Sequence, residues 1–143
     1  MKKILLAVDG SDSCNKAVTS VVELSYLIDD MEITVLNVVE DVVSPQTINK
    51  KEIKQEFERH KKYEETSQEI VQSCANNFNE ECKVRRIVRE GNPSTEICKV
   101  ADEGDYDLVV VADMGRSAIK KFLLGSTTER VVKHCNKSVM VVK

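Results

Sequence analysis

The sequence predicts an α/β fold built on one five-stranded parallel sheet with helices on both faces. Three observations carry that expectation. Apolar runs of strand length alternate with stretches of helical periodicity along the chain. Two of the runs, Ile4-Leu5-Leu6-Ala7-Val8 and Leu108-Val109-Val110-Val111-Ala112, are apolar on both faces, as central parallel strands must be. The chain has 143 residues, a size that buries one real core, and the domain expected is the whole span 1–143.

Taken in order, the first strand covers residues 3–8. Ser11, Asp12 and Ser13 then supply helix-capping side chains ahead of an apolar stripe at Cys14, Ala17, Val18, Val21, Leu24 and Ile28. A second strand, 33–39, leads through Ser44-Pro45 into a long charged segment. Its apolar residues Ile53, Phe57, Ile70, Val71, Cys74 and Phe78 suggest a helix with a solvated charged face. A third strand, 82–88, precedes Gly91-Asn92-Pro93, where Asn92 caps and Pro93 opens a short helix closed by Gly104. The fourth strand is 107–112. A glycine-containing loop, a helix over 126–134 and a last strand, 138–142, complete the alternation.

Strand composition orders the sheet. The two wholly apolar strands are neighbours at its centre, and Lys83, Arg85, Arg86 and Arg89 mark the third strand as an edge protected by charge. The order 3-2-1-4-5 follows. It leaves Val139-Met140-Val141-Val142 on the other edge, where an uncovered apolar strand invites pairing, so a homodimer through this strand is expected. The alternative is a short edge covered by its own helices.

Composition narrows the function classes. A net charge of −3, no tryptophan and 4% aromatic residues leave neither a basic footprint nor the stacking platforms of nucleic-acid binders. Asp9 and Asp12 cut short the one apolar run that follows Met1-Lys2-Lys3, which argues against a secretion signal. No run approaches the roughly 18 apolar residues of a spanning helix, so a soluble cytoplasmic protein is expected. The five cysteines, at 14, 74, 82, 98 and 135, form no Cys-x-x-Cys pair and lie in apolar periodic segments, which points to reduced, buried thiols. His60 and His134 stand away from any cysteine group with zinc-ligand spacing, and His134 suits the favourable cation of a helix end.

Ligands of an open parallel sheet bind beyond the carboxyl ends of the strands where the connections change direction, here between the first and fourth strands. Two loops meet there: Asp9-Gly10-Ser11, and Ala112-Asp113-Met114-Gly115 running on to Gly125-Ser126. Glycine admits a phosphate close to the backbone, and a loop ending at a helix N-terminus aims free N–H groups at the anion. Arg116, Lys120 and Lys121 add local positive charge. Ser126-Thr127-Thr128-Glu129 is also a capping box, in which Ser126 and Glu129 only start the last helix. Neither Gly-x-Gly-x-x-Gly nor the Walker pattern is present, which disfavours an NAD-linked enzyme, and a receiver-like signalling domain lacks its paired acids after the first strand.

The segments 3–11, Gly91-Asn92-Pro93, 115–126 and 136–142 together resemble the universal stress protein family over the whole chain. The resemblance implies strand order 3-2-1-4-5, a homodimer through the last strand, and the pattern Gly-x-x-Gly-x9-Gly-Ser/Thr of ATP-binding members. Gly115, nine intervening residues, Gly125 and Ser126 match it. Their amides and the Ser126 hydroxyl would hold the phosphates, commonly with Mg²⁺ or Mn²⁺. Asp9 would contact ribose or adenine, Val38 would offer backbone to the adenine edge, and Ala7 and Val8 would line the base pocket. Met114, Arg116 and Thr127 complete the expected nucleotide-binding set. Ala112 replaces the pattern's first glycine: a negative φ makes alanine harmless there, whereas a positive φ weakens binding. No general base is placed by the motif, so slow ATP hydrolysis at most is expected. The function expected is an ATP-binding stress-response module; the alternative is a nucleotide-free dimeric interaction module.

Overall fold

The computed structural model describes residues 2–40, 49–113 and 124–143. Among these, the elements alternate as the sequence predicts: β1 (Lys3–Ala7), α1 (Asp12–Ser25), β2 (Glu32–Val39), α2 (Lys50–Ala75), β3 (Lys83–Glu90), α3 (Pro93–Glu103), β4 (Leu108–Ala112), α4 (Ser126–His134) and β5 (Ser138–Val142). All pairings are parallel and the sheet order is β3-β2-β1-β4-β5.

The two-residue alternation of the strands divides the core in two. Ile4 and Leu6 of β1, Ile33 and Val35 of β2, and Leu108 and Val110 of β4 face α1 and α2, meeting Ala17, Val21 and Val71. Leu5, Leu36, Val109 and Val111 face the other way, onto Ile97, Val100 and Ala101 of α3 and Val131 of α4. The Tyr106 hydroxyl, buried in this second layer, donates to Thr34 Oγ1 at 2.7 Å and so satisfies both groups.

The edges differ as their composition requires. Along β3, the residues Lys83, Arg85, Arg86, Arg89 and Glu90 are exposed, whereas Val139 to Val142 of β5 are half-buried. Helix ends follow local chemistry. The Asn92 carboxamide accepts from the Thr95 amide, with Pro93 in the first turn, and the Asn49 carboxamide accepts from Lys51. Gly104 ends α3 with φ −86, so space rather than handedness demands glycine: a Cβ there would lie 2.2 Å from Tyr106 Cε2. Lys133 and His134 occupy the last turn of α4, where cations are favoured.

Two expectations need correction. Gly125, not Ser126, is the N-cap of α4, and among the described residues no side chain caps that end. Ser126 is already helical, and Glu129 instead pairs with Lys133 at 2.7 Å. The capping box therefore does not form, because the first helical amides lie one residue earlier than the box requires. The thiols are also less deeply placed than expected. All five are free, but only Cys14 and Cys74 are buried; Cys82, Cys98 and Cys135 are partly exposed.

Candidate functional site

At the carboxyl end of β1 the chain must turn sharply into α1. Val8, still hydrogen-bonded to the Leu36 carbonyl at 2.9 Å, is buried, and Gly10 takes φ +80, a conformation that glycine adopts without strain. A Cβ at Gly10 would also lie 2.9 Å from Ile70 Cδ1, so α2 closes over this turn. Asp9 Oδ1 accepts from the Ser11 amide at 2.9 Å and from the Cys14 thiol at 2.8 Å. The Asp9 amide in turn donates to Cys14 Sγ at 3.3 Å. Burial opposes ionisation of Asp9, but the hydrogen bonds from Cys14 and Ser11 outweigh it and hold the carboxyl below its ordinary value. Burial, reinforced by the Asp9 carboxylate, pushes the Cys14 thiol up to about 11. The result is a fixed carboxylate locked by a neutral thiol.

The adjoining corner is built differently. Ala112 is buried in β4 and does not belong to the positive-φ residues, which among the described non-glycines are Asp30 and Asp105. Alanine therefore carries no backbone strain at the position where the family pattern has glycine. The Thr128 hydroxyl donates to the Ala112 carbonyl at 2.9 Å, tying the first turn of α4 to the end of β4. Asp113 continues the pairing through its amide to Val142 O at 2.8 Å, and its Oδ1 is buried without a hydrogen-bond partner among the described residues.

Between the two corners lies a cleft of about 340 Å³, within the range of small-ligand pockets. It brings together Ala7, Val8, Asp9, Val38, Ala112 and Thr127 from the expected set. Gly125 and Ser126 stand at the N-terminus of α4 beside Thr127 but do not line the cleft. Met114, Gly115 and Arg116 lie outside the described residues, as do Lys120 and Lys121. Sequence reasoning missed Cys14, Asn37, Glu40, Pro93 and Ile97, which also line the cleft. Asn37 was detectable, since it interrupts the apolar run Val35-Leu36-Asn37-Val38-Val39. Its buried amide donates to the Val8 carbonyl at 2.6 Å and accepts from Ser67 of α2. That bond fixes the point where β1 ends and the Asp9 turn begins.

The sequence profile of the universal stress protein family matches residues 1–143. This chain belongs to the universal stress protein family. A family relative, universal stress protein MJ0577 of Methanocaldococcus jannaschii, is 32% identical over 157 aligned residues, covering 99% of this chain and 94% of the relative. The solved structure of that hypothetical protein superposes with a TM-score of 0.72 at 31% identity, covering 99% of this chain and 95% of the other. Two more distant likenesses show the fold alone. The universal stress protein of Archaeoglobus fulgidus in complex with dAMP has a TM-score of 0.61 at 23% identity, covering 100% of this chain and 98% of that one. An Arabidopsis thaliana family protein with AMP bound has a TM-score of 0.70 at 19% identity, covering 100% and 92%. The universal stress protein fold places the switch point of its sheet between β1 and β4, where the cleft opens.

Proposed function

We propose that residues 1–143 form one universal stress protein domain that binds an adenine nucleotide, ATP with Mg²⁺ or Mn²⁺, in this cleft. It acts as a homodimeric cytoplasmic regulatory module with slow hydrolysis at most. One observation carries the reading: a 340 Å³ cleft unites Ala7, Val8, Asp9 and Val38 with Ala112 and Thr127 beside the N-terminus of α4. An apolar floor with one fixed carboxylate suits a nucleoside, and free helix N–H groups suit its phosphates. Universal stress proteins with dAMP and with AMP bound support the ligand class.

The roles follow from position. Asp9, held by Cys14 and Ser11, accepts from ribose or adenine; Ala7 and Val8 contact the base, and the Val38 backbone reads its edge. The amides of Gly125, Ser126 and Thr127 receive phosphate, and because Ser126 caps nothing, its hydroxyl is available for that contact. Met114, Gly115 and Arg116 are assigned to the phosphates from their spacing. The half-buried apolar edge β5 supports pairing with a second copy.

Thermal unfolding with and without Mg-ATP tests the reading. Nucleotide at 100 times its dissociation constant adds about 2.7 kcal/mol of stability, and no shift for the wild type rejects nucleotide binding in favour of a nucleotide-free interaction module. Sedimentation of Val141→Lys tests the dimer: a monomer is expected, and an unchanged dimer rejects pairing through β5.

A further inference from the structure

Away from the cleft, α2 and the end of β3 bring a histidine and two glutamates together. His60 and Glu64 are four residues apart on α2 and therefore stand on the same side of the helix. Glu90 is the last residue of β3, and β2 and β3 pack beneath α2. One ligand atom from each of the three residues lies within 4.8 Å of the other two, and His60 Nε2 is 2.8 Å from Glu90 Oε2. Two carboxylates drawn this close repel each other. Among the described residues neither forms an ion pair with a lysine or arginine.

We propose that His60, Glu64 and Glu90 form a binding site for a divalent cation of the zinc class. The donor set selects the metal. Imidazole together with carboxylate oxygen suits Zn²⁺ and Co²⁺, whereas Mg²⁺ prefers oxygen donors alone. Ligand bonds of about 2.0–2.2 Å place neighbouring ligand atoms of a tetrahedral ion within about 4 Å of one another, a span the cluster reaches by small side-chain rotations. Three protein ligands leave the fourth position to water. All three side chains are at least partly exposed, so the ion enters from solvent and each residue can be replaced without opening the core.

The site has a structural consequence. His60 and Glu64 lie on the turns of α2 just before Ser67, which bonds to Asn37, and Ile70, which packs against Gly10. An ion bridging α2 to β3 clamps the helix immediately ahead of its contacts with Asn37 and Gly10. Metal binding would thereby stiffen the Asp9 turn from a distance.

The experiment is titration of the intact, metal-free protein with Co²⁺ and with Zn²⁺, read by visible absorption and calorimetry. Binding of one ion per chain with nitrogen and oxygen ligation is expected, without a sulfur-to-metal charge-transfer band. His60→Ala and Glu90→Gln should each weaken it by at least about tenfold, Cys98→Ser and Cys135→Ser should leave it unchanged, and Mg²⁺ should not compete. The circular dichroism of the His60 and Glu90 variants should match the wild type. No binding, a thiolate band, or equal affinity in His60→Ala would overturn the proposal and reduce the cluster to a surface ion pair. None of these readouts uses nucleotide, so the result stands apart from the function proposed for the cleft.

Discussion

The two corners of the cleft are solved by opposite means. At the end of β1, side chains do the work: Asp9 gathers the Ser11 amide and the Cys14 thiol, and a glycine at φ +80 lets α2 close over the turn. At the second corner, α4 begins on Gly125 with no side-chain cap among the described residues, and the backbone is left to offer its own amides. A corner whose polar groups are spoken for provides a rigid, directional contact, whereas one with unsatisfied N–H groups provides a field for an anion. The first suits recognition of a nucleoside and the second suits phosphate.

The largest effect should come from overloading the rigid corner. Gly10→Val meets both the positive φ and Ile70 Cδ1 at 2.9 Å, and a loss of about 2–3 kcal/mol in urea denaturation is expected, together with weaker nucleotide binding. A loss below about 0.5 kcal/mol would show that the turn relaxes freely. Next, Asp9→Asn should reduce nucleotide affinity by about tenfold or more, because one charge-assisted hydrogen bond is worth roughly 1.5–3 kcal/mol and each 1.4 kcal/mol is about a factor of ten. An unchanged calorimetric affinity would remove Asp9 from the site.

The same pair governs pH dependence. Asp9 titrates below its ordinary 3.8 in the folded protein, so its contribution is present above that value and is lost as pH falls through the lower folded one. Cys14 runs the other way. Its folded value of about 11 lies above the ordinary 9.0, so its contribution holds below pH 9 and disappears as pH rises from there to about 11. Denaturation midpoints of Cys14→Ala should lose part of the alkaline decline seen in wild type, and an identical decline would show that the thiol is not its source.

The smallest expected effect lies at the open corner. Since Ser126 makes no capping hydrogen bond, Ser126→Ala should change stability by less than about 0.5 kcal/mol, against about 1 for a working cap, while the stabilisation added by Mg-ATP should shrink. A substantial loss in the absence of ligand would restore a capping role and erase the contrast between the corners.

Much of this was legible in the chain itself. Apolar runs on both faces of β1 and β4 placed them at the centre, arginines and lysine placed β3 at an edge, and Asn92-Pro93 marked the start of α3, because burial and capping are local demands that residue type must meet. Asp9 was legible as a loop residue beyond the first strand, whereas Ala7, Val8 and Val38 were named only through the family resemblance; all four line the cleft.

What sequence could not supply were the relations that form only when distant elements pack. Ser126 reads as a cap from its type and spacing, yet α4 starts one residue earlier, with Gly125 as its N-cap. Cys14 reads as a core thiol, yet the turn at Gly10 sets it against Asp9. Asn37 and Ser67 stand 30 residues apart and meet because α2 crosses β2. His60, without a cysteine partner in sequence, finds Glu90 across the same crossing. Residue type decides what a segment must bury or expose; only tertiary packing decides which polar groups are brought close enough to act on one another.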